Sequence, residues 1–562
     1  MTVHSLEPRQ LMSGDDAVAL ACIHAGVCLG TGYPGTPSTE ILETFNQLGG
    51  KAQWAPNEKV ALEVGLGVAF AGARAIVTMK HVGLNVAADP LFTAAYTDID
   101  GGLVIVSADD PGMASSQNEQ DNRYYARAAG VPMLEPTDAQ QAYDYTLLAF
   151  WVAERWKIPV LLRLTTRVCH AKTVVKPRPS SAIAPVSASF RRDIPARVMI
   201  PAYAKPAHRR LRDKLAAIAA WNDAEGPVED SGGSANCGII ATGVAAMHAR
   251  EAAPTVRHLT VGMTYPLPLQ RIREFASEVK QLVVVEEGEP LLYEALRAAG
   301  LPVIGKPDRY RFGELDVARV RRLLAQNNSP EPVPAKGKPP ELCPGCAHRT
   351  VFQALHDLDC IVAGDIGCYT LGVLPPFSAM DTCVCMGASV GVGLGLRHAL
   401  PKSQARRVVS VIGDSTFVHS GLTGLAEMAY NPPPTGHLLL ILDNGTTAMT
   451  GQQEHPGTGR TLNHAATHRL DFFKVCQALG IHNVQLFSAN DREVDLKTII
   501  ADQLTRSETA VFIIQQPCVL AAPKIRLYEQ AAVNETVAKE SCSATESCAI
   551  AASSQLFQLF NE

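Results

Sequence analysis

The sequence predicts an α/β protein of several domains, built on doubly wound, largely parallel sheets. Short apolar runs recur and each ends abruptly in a polar turn: 75–79 before Lys80-His81, 103–107 before Ala108-Asp109-Asp110, 408–412 before Gly413-Asp414-Ser415, and 438–442 before Asp443-Asn444-Gly445. Helix-compatible text separates them, as at 421–430, and strand, crossover, strand is the grammar of parallel sheets. A length of 562 residues and two breaks in composition imply more than one core. The first break, 172–206, is rich in Pro, Ser and basic residues and reads as a linker; the second, 327–341, holds five prolines.

The stretch 408–451 carries the chemistry. In parallel sheets ligands sit at the carboxyl ends of the strands, so Asp414 and Asn444 are delivered to one rim. A carboxylate and an amide oxygen suit a hard cation such as Mg²⁺, with a phosphate ester completing the shell. The implied ligand is a diphosphate held through a metal. Alone, Gly-Asp-Ser between apolar runs is also an ordinary strand-to-helix turn, and its neighbours decide.

Gly413-Asp414-Ser415 followed one crossover later by Asp443-Asn444-Gly445 looks like the thiamine-diphosphate signature, and Asn444-Gly445-Thr446-Thr447-Ala448-Met449-Thr450-Gly451-Gln452 resembles the 2-oxoacid:ferredoxin oxidoreductases, the indolepyruvate group above all. The resemblance runs over 14–518. It implies a pyrimidine-binding (PYR) domain at 1–190, a transketolase-C-terminal-like middle domain at 191–330, a diphosphate-binding (PP) domain at 335–525 and a tail at 526–562. It also implies thiamine diphosphate and Mg²⁺ as cofactors, with Gly413, Asp414, Ser415, Asn444 and Thr446 at the diphosphate, and Asp414, Asn444 and Thr446 on the metal.

From the start, residues 15–26 read as a helix that breaks into a Gly/Pro-rich loop, 30–40, where Ser38 or Thr39 is a fair helix cap. The family places substrate near this loop, which makes Thr36 a candidate contact. Next, Asn57-Glu58-Lys59 opens a small-residue helix. Thiamine enzymes set a carboxylic acid against the aminopyrimidine to promote loss of the thiazolium C2 proton, and Glu58 matches that position; Glu63 falls off its helical face. The polar segment 115–125 resembles a loop bordering the family's active site. There Arg123 is either a bidentate holder of a substrate carboxylate or an interdomain salt bridge. His81 reads as a hydrogen-bonded structural histidine.

Residues 209–221 read as a helix and 222–236 as a mobile Gly/Ser/Asp-rich stretch. A compact α/β unit follows at 237–324, with strands at 238–241, 258–261 and 281–285; Glu286-Glu287-Gly288-Glu289 reads as a strand-end turn without a catalytic role.

Cys343-Pro344-Gly345-Cys346 alone is a zinc half-site, a redox pair or an iron–sulfur half-site. Cys368 and Cys518 follow apolar runs at 361–363 and 511–515, on the rim that holds Asp414 and Asn444. Four thiolates there suit one [4Fe–4S] cluster, and in the family a cluster near thiamine uses cysteines so arranged. Cys383 and Cys385 read as packing residues ahead of a glycine-spaced helix, with the backbone of Gly387 as a phosphate contact. Two departures stand out. The family's indolepyruvate enzymes carry a ferredoxin-like module after the PP domain, whereas this tail keeps only Cys542 and Cys548 as a degenerate remnant. Met449 stands where the pyruvate enzymes have asparagine, which favours a roomier, softer substrate pocket.

Composition limits the alternatives. A net charge of -5 with no basic block gives no footprint for nucleic acid. The polar start and the lack of a long apolar run predict no signal peptide, no membrane span and a cytoplasmic protein. Fourteen cysteines are too sparse for a disulfide scaffold. The resemblance implies oxidative decarboxylation of an aryl-2-oxoacid such as indolepyruvate, with coenzyme A taking the acyl group and ferredoxin or another carrier the electrons. It further implies a smaller beta-type subunit carrying the missing gamma domain, in a homodimer of heterodimers. A non-oxidative thiamine-dependent decarboxylase would use the same acids without the thiols, and a catalytically silent scaffold would need neither set.

Overall fold

The computed structural model describes residues 9–177, 188–331, 337–489, 491, 495–528 and 530. Cys542, Cys548 and most of the tail lie outside the described residues, as does part of the proline-rich boundary. The chain divides into two compact units, Met1–Lys336 and Gly337–Glu562.

The first unit contains a seven-stranded sheet in the order Met263–Tyr265, Met133–Leu134, Val160–Thr165, Leu103–Asp109, Ala75–Lys80, Leu29–Gly32, Ala52–Trp54. Every neighbouring pair is parallel except the first. The inner strands are buried along their whole length, which is why they read as unbroken apolar runs. A second sheet, of five strands, has the order Val303–Ile304, Leu282–Val285, Ser234–Ala241, Val256–Val261, Val228–Asp230. The segment 191–330 does not stand apart, because its Met263–Tyr265 strand pairs antiparallel with Met133–Leu134 in the first sheet.

Three local expectations change. The 172–206 linker is partly regular: Thr173–Val175 pairs with Gln10–Met12, and a helix runs over Pro201–Glu225, starting inside the expected linker. Its proline at the first position suits a helix start, where the missing N–H has no partner to lose. The stretch expected to be mobile carries the edge strand Val228–Asp230, antiparallel to Val256–Val261. Ser38 does stand at the cap of Thr39–Gln47, but its hydroxyl donates to the Gly35 carbonyl at 3.0 Å rather than capping the helix.

Arg123 resolves in favour of the salt bridge. The side chain is 2% exposed; Nε and Nη2 donate to Asp121, Nη1 donates to Glu286 at 2.7 Å, and Nη2 also meets the carbonyls of Glu287 and Glu289. Its nitrogens are all engaged, so the substrate-carboxylate reading of Arg123 is corrected: the residue locks the 115–125 loop to the turn after Leu282–Val285. Arg163 adds Asp109 and Glu135 at 2.7 and 2.8 Å. Burial works against the charge on Asp121, but Arg123 and then Arg163 outweigh it and hold the carboxyl down to about 2.

The second unit is one parallel sheet in the order Ile361–Ala363, Val408–Gly413, His437–Asp443, Thr509–Gln515, Asn483–Ser488. Side chains alternate across it as strand geometry requires. Leu438, Leu440, Leu442, Phe512 and Ile514 pack on one face with Val351 and Ile500; Leu439, Ile441, Val511 and Ile513 pack on the other with Val390, Leu425 and Phe472. The expected crossover helix begins earlier than read, at Asp414 directly after the strand, and passes through a π-helical turn at Phe417–Gly421 before Leu422–Tyr430.

Replacing Arg123 by Met would leave the Glu286 carboxylate buried without its ion-pair partner and Asp121 with Arg163 at 3.9 Å in place of a direct bridge. The expected cost is about 3–5 kcal/mol, measured by denaturant unfolding; a change below about 1 kcal/mol would show that the joint tolerates the loss.

Candidate active site

The rim of the second unit is organised by Asp414. The carboxylate is 3% exposed; Oδ1 accepts the Ser415 N–H at 2.8 Å and Oδ2 the Gly445 N–H at 2.8 Å. His455 Nε2 stands 3.3 Å from Oδ2. His455 Nδ1 accepts the Gly457 N–H at 3.2 Å, so the ring proton belongs on Nε2, facing Asp414. Burial would raise the Asp414 carboxyl, yet His455 and the backbone donors hold it below its ordinary range. The neighbouring Asp443 goes the other way: burial first, then the charge on Asp414, push it up to about 6, although Gln515 donates to it at 2.7 Å.

Asn444 Oδ1 accepts the Thr446 N–H at 3.1 Å, and Gly445 takes a positive φ of 73° that lets its N–H turn toward Asp414. The loop is pinned by Thr446, whose hydroxyl donates to the Gln453 carbonyl at 3.1 Å, and by Thr447, whose hydroxyl donates to Ser415 Oγ at 2.8 Å. Gly413 is required by Tyr369: a Cβ there would lie 2.6 Å from the ring. Behind Tyr369, burial drives the His348 imidazole down to about 4 against the pull of Asp414, so it stays neutral. Met449 lies on a short helical turn and is 51% exposed. A cavity of about 740 Å³ opens beside Asp443, Asn444 and Gly445, bounded by Arg469, Phe472 and Gln516.

Gly387 is a correction. Its N–H donates to Asp365 Oδ1 at 2.9 Å and the Ser389 N–H to Oδ2 at 3.0 Å, so a carboxylate of the chain itself fills the start of Ala388–Ala399. Cys383 and Cys385 are corrected too, since both are exposed rather than packed in a core.

The four remaining thiols of the motif draw together. Cys343 and Cys346 flank a turn closed by the Cys346 N–H on the Cys343 carbonyl at 3.2 Å, and Gln516 donates to Gly345 at 3.1 Å, joining this turn to the segment bearing Cys518. The Cys518 N–H in turn meets the Asn444 carbonyl at 2.9 Å. Burial, then the nearby Cys518, Cys346 and Cys343, push the Cys368 thiol up to about 11. Among the described residues these thiols do not form a group packed within 4.8 Å of one another.

In the first unit Glu58 opens the helix Glu58–Phe70, capped by Asn57, whose Oδ1 accepts the Val60 N–H at 3.0 Å. Glu58 is 4% exposed, whereas Glu63 is exposed and pairs with Lys59. Gly83 makes room: a Cβ there would lie 2.5 Å from Glu58 Oε1. Thr36 is half-buried in the turn before Thr39–Gln47. His81 is structural, as read, with Nε2 at 3.1 Å from the Asn118 carbonyl. The sequence reading missed His455, Asp443, Asp365 and Gly83. The buried polar run Gln453-Glu454-His455, directly after the quoted motif, was the available signal for His455.

Two family models match: pyruvate flavodoxin/ferredoxin oxidoreductase, thiamine diphosphate-binding, over residues 20–213, and the C-terminal thiamine-pyrophosphate-binding domain of thiamine-pyrophosphate enzymes, over 365–514. Together with the two parallel-sheet halves, they define a thiamine-diphosphate-binding oxidoreductase subunit. Indolepyruvate oxidoreductase subunit IorA of Archaeoglobus fulgidus is 38% identical, covering 95% of this chain and 90% of that one. IorA of Methanothermobacter thermautotrophicus is 37% identical, covering 91% and 87%. The chain belongs to the indolepyruvate oxidoreductase subunit IorA family. A looser structural likeness, with a TM-score of 0.48 and 18% identity over 57% of this chain and 65% of the other, is to a 2-oxoglutarate:ferredoxin oxidoreductase from Magnetococcus marinus.

Gly387→Ala tests the correction at that position. With φ at 86° and a Cβ only 2.5 Å from Ser420 Cβ, the change is expected to cost about 1–3 kcal/mol. The loss should appear in denaturant unfolding of the cofactor-free chain as fully as in the loaded one. A loss seen only with cofactor bound would return Gly387 to the phosphate.

Proposed function

We propose that this chain is the catalytic subunit of an enzyme that oxidatively decarboxylates an aryl-2-oxoacid, indolepyruvate or another arylpyruvate. The 2-oxoacid and coenzyme A give the acyl-CoA, CO₂, one proton and two electrons; the electrons leave through one [4Fe–4S] cluster to ferredoxin or another carrier. The observation that carries this reading is the pairing on one sheet rim of a buried, ionised Asp414 with Asn444 at the next strand end. A carboxylate and an amide oxygen fit Mg²⁺ and, through it, a diphosphate. The thiols fit a multi-iron group better than a single zinc ion, whose tetrahedral sulfurs would lie about 3.8 Å apart.

Thiamine diphosphate, when bound, would supply a carbon nucleophile and an electron sink for decarboxylation of the 2-oxoacid. The residues do the rest. Asp414, Asn444 and Thr446 would hold the metal, with Gly413 and Ser415 beside the diphosphate. Glu58 would share a proton with the aminopyrimidine, and its burial keeps water from competing. Thr36 and Met449 would contact substrate. Cys343, Cys346, Cys368 and Cys518 would ligate the cluster. The reading includes a smaller beta-type subunit, a homodimer of heterodimers and a cytoplasmic setting; among the described residues no helix is long and apolar enough to cross a membrane.

The test is indolepyruvate-dependent, coenzyme A-dependent reduction of a dye by the anaerobically assembled complex. Glu58→Gln should bind cofactor normally yet lose turnover by at least about a hundredfold, and NMR should show slowed exchange of the C2 proton on the bound cofactor. Exchange at the wild-type rate would make Glu58 the wrong acid.

The cluster has its own test. Wild-type chain should carry about four irons, and Cys368→Ser should lose them together with dye reduction, while Cys542→Ser and Cys548→Ser keep both. Full iron in Cys368→Ser would sink the assignment.

A further inference from the structure

Three ligand-type side chains converge in the first unit, none of them a residue given a role above. Asp15 lies in the first turn of Gly14–His24, Glu40 in the first turn of Thr39–Gln47, and His170 ends Thr166–His170. One donor atom from each falls within 4.8 Å of the other two, the only such trio among the described residues.

Asp15 makes this more than an acidic cluster. It is 1% exposed, and neither carboxylate oxygen has a hydrogen-bond partner. The Cys169 thiol lies nearby, but a thiol is a weak donor and does not meet the carboxylate in hydrogen-bonding geometry. Nor does the helix need Asp15 as a cap, because Ser13 and Asp16 already form a reciprocal capping box and Asp16 also accepts the Thr44 hydroxyl at 3.2 Å. A charged carboxylate buried without donors costs several kcal/mol, so burial favours the protonated form of Asp15 until a cation compensates the charge. The backbone fixes its position: a Cβ on Gly14 would lie 2.2 Å from the Val168 carbonyl, so the helix start is pressed against the segment that carries His170.

We propose that Asp15, Glu40 and His170 bind a divalent transition-metal ion, with Zn²⁺ the best match. One imidazole nitrogen with two carboxylate oxygens is a donor set that Mg²⁺ and Ca²⁺ do not favour and zinc accepts. At zinc–ligand distances of about 2.0–2.2 Å the donors sit about 3.4 Å apart. Glu40 and His170 are exposed and close the remaining gap by rotation, while buried Asp15 stays in place. Three protein ligands leave a fourth position for water. Such an ion ties the start of Thr39–Gln47, and with it the turn holding Thr36, to the helix that follows Val160–Thr165.

The experiment uses the whole chain with iron loaded and with saturating Mg²⁺ and thiamine diphosphate, so that other sites are occupied. Zn²⁺ is titrated calorimetrically and Co²⁺ by absorption, because cobalt on nitrogen and oxygen lacks the intense sulfur-to-metal band of a thiolate site. Wild type should take up one Zn²⁺ per chain. His170→Ala and Asp15→Asn should each weaken it by at least about a hundredfold, since even outer-shell changes cost about 10–100-fold, with iron content unchanged. His170 is exposed, so its variant tests the site without threatening the fold. Equal zinc affinity in His170→Ala and wild type, no uptake by wild type, or a cobalt spectrum dominated by the sulfur band would overturn the proposal, whatever the chemistry at Asp414.

Discussion

Everything in the second unit's rim turns on keeping one buried carboxylate charged. Asp414 is nearly inaccessible, and an isolated ion there would revert to its neutral form. Two backbone donors and a neighbouring imidazole prevent this: the N–H of Ser415 at the helix start, the N–H of Gly445 at the next strand end, and the ring of His455, 3.3 Å away on the loop that follows. The same contacts that preserve the charge therefore assemble the rim. Removing any of them loosens both the electrostatics and the loop.

The first unit solves a related problem with cations. Its seven- and five-stranded sheets are joined through Arg123, which pairs with Asp121 and Glu286, while Arg163 beside it pairs with Asp109 and Glu135. A joint of this kind gives little net stability over apolar packing, but it is directional, and a misplaced loop would leave an unpaired charge inside the protein. The cost of error fixes the path of the 115–125 segment.

What was legible in the sequence follows from how local the cause is. Strands such as 408–412 and 438–442 announce themselves because burial on both faces leaves only apolar side chains, and Asp414 and Asn444 follow from where those strands end. Glu58 was readable from its place at a helix start. Partners supplied by distant segments were not: nothing in the text near Gly83 says that Glu58 fills the space above it, and nothing near Gly387 says that Asp365 takes its N–H. Arg123 shows the limit most clearly. Two uses of a guanidinium are compatible with the sequence, and only the approach of Glu286, more than a hundred residues on, selects between them. The sequence suggests a shorter helix than Pro201–Glu225, because prolines near its start look like breakers until the first turn is placed.

The carboxylate of Asp365 at the start of Ala388–Ala399 has one more implication. A helix terminus that might have welcomed an anion is already neutralised from within, and Asp414 and Asp443 add further negative character to the same unit. A bare polyanion approaching this rim meets repulsion. If the proposed function holds, a diphosphate would have to enter as its metal complex, or after an ion captured at Asp414 had reversed the sign of the local field. On the proposed function, a divalent ion held at Asp414 would gate the site as well as clamp its ligand.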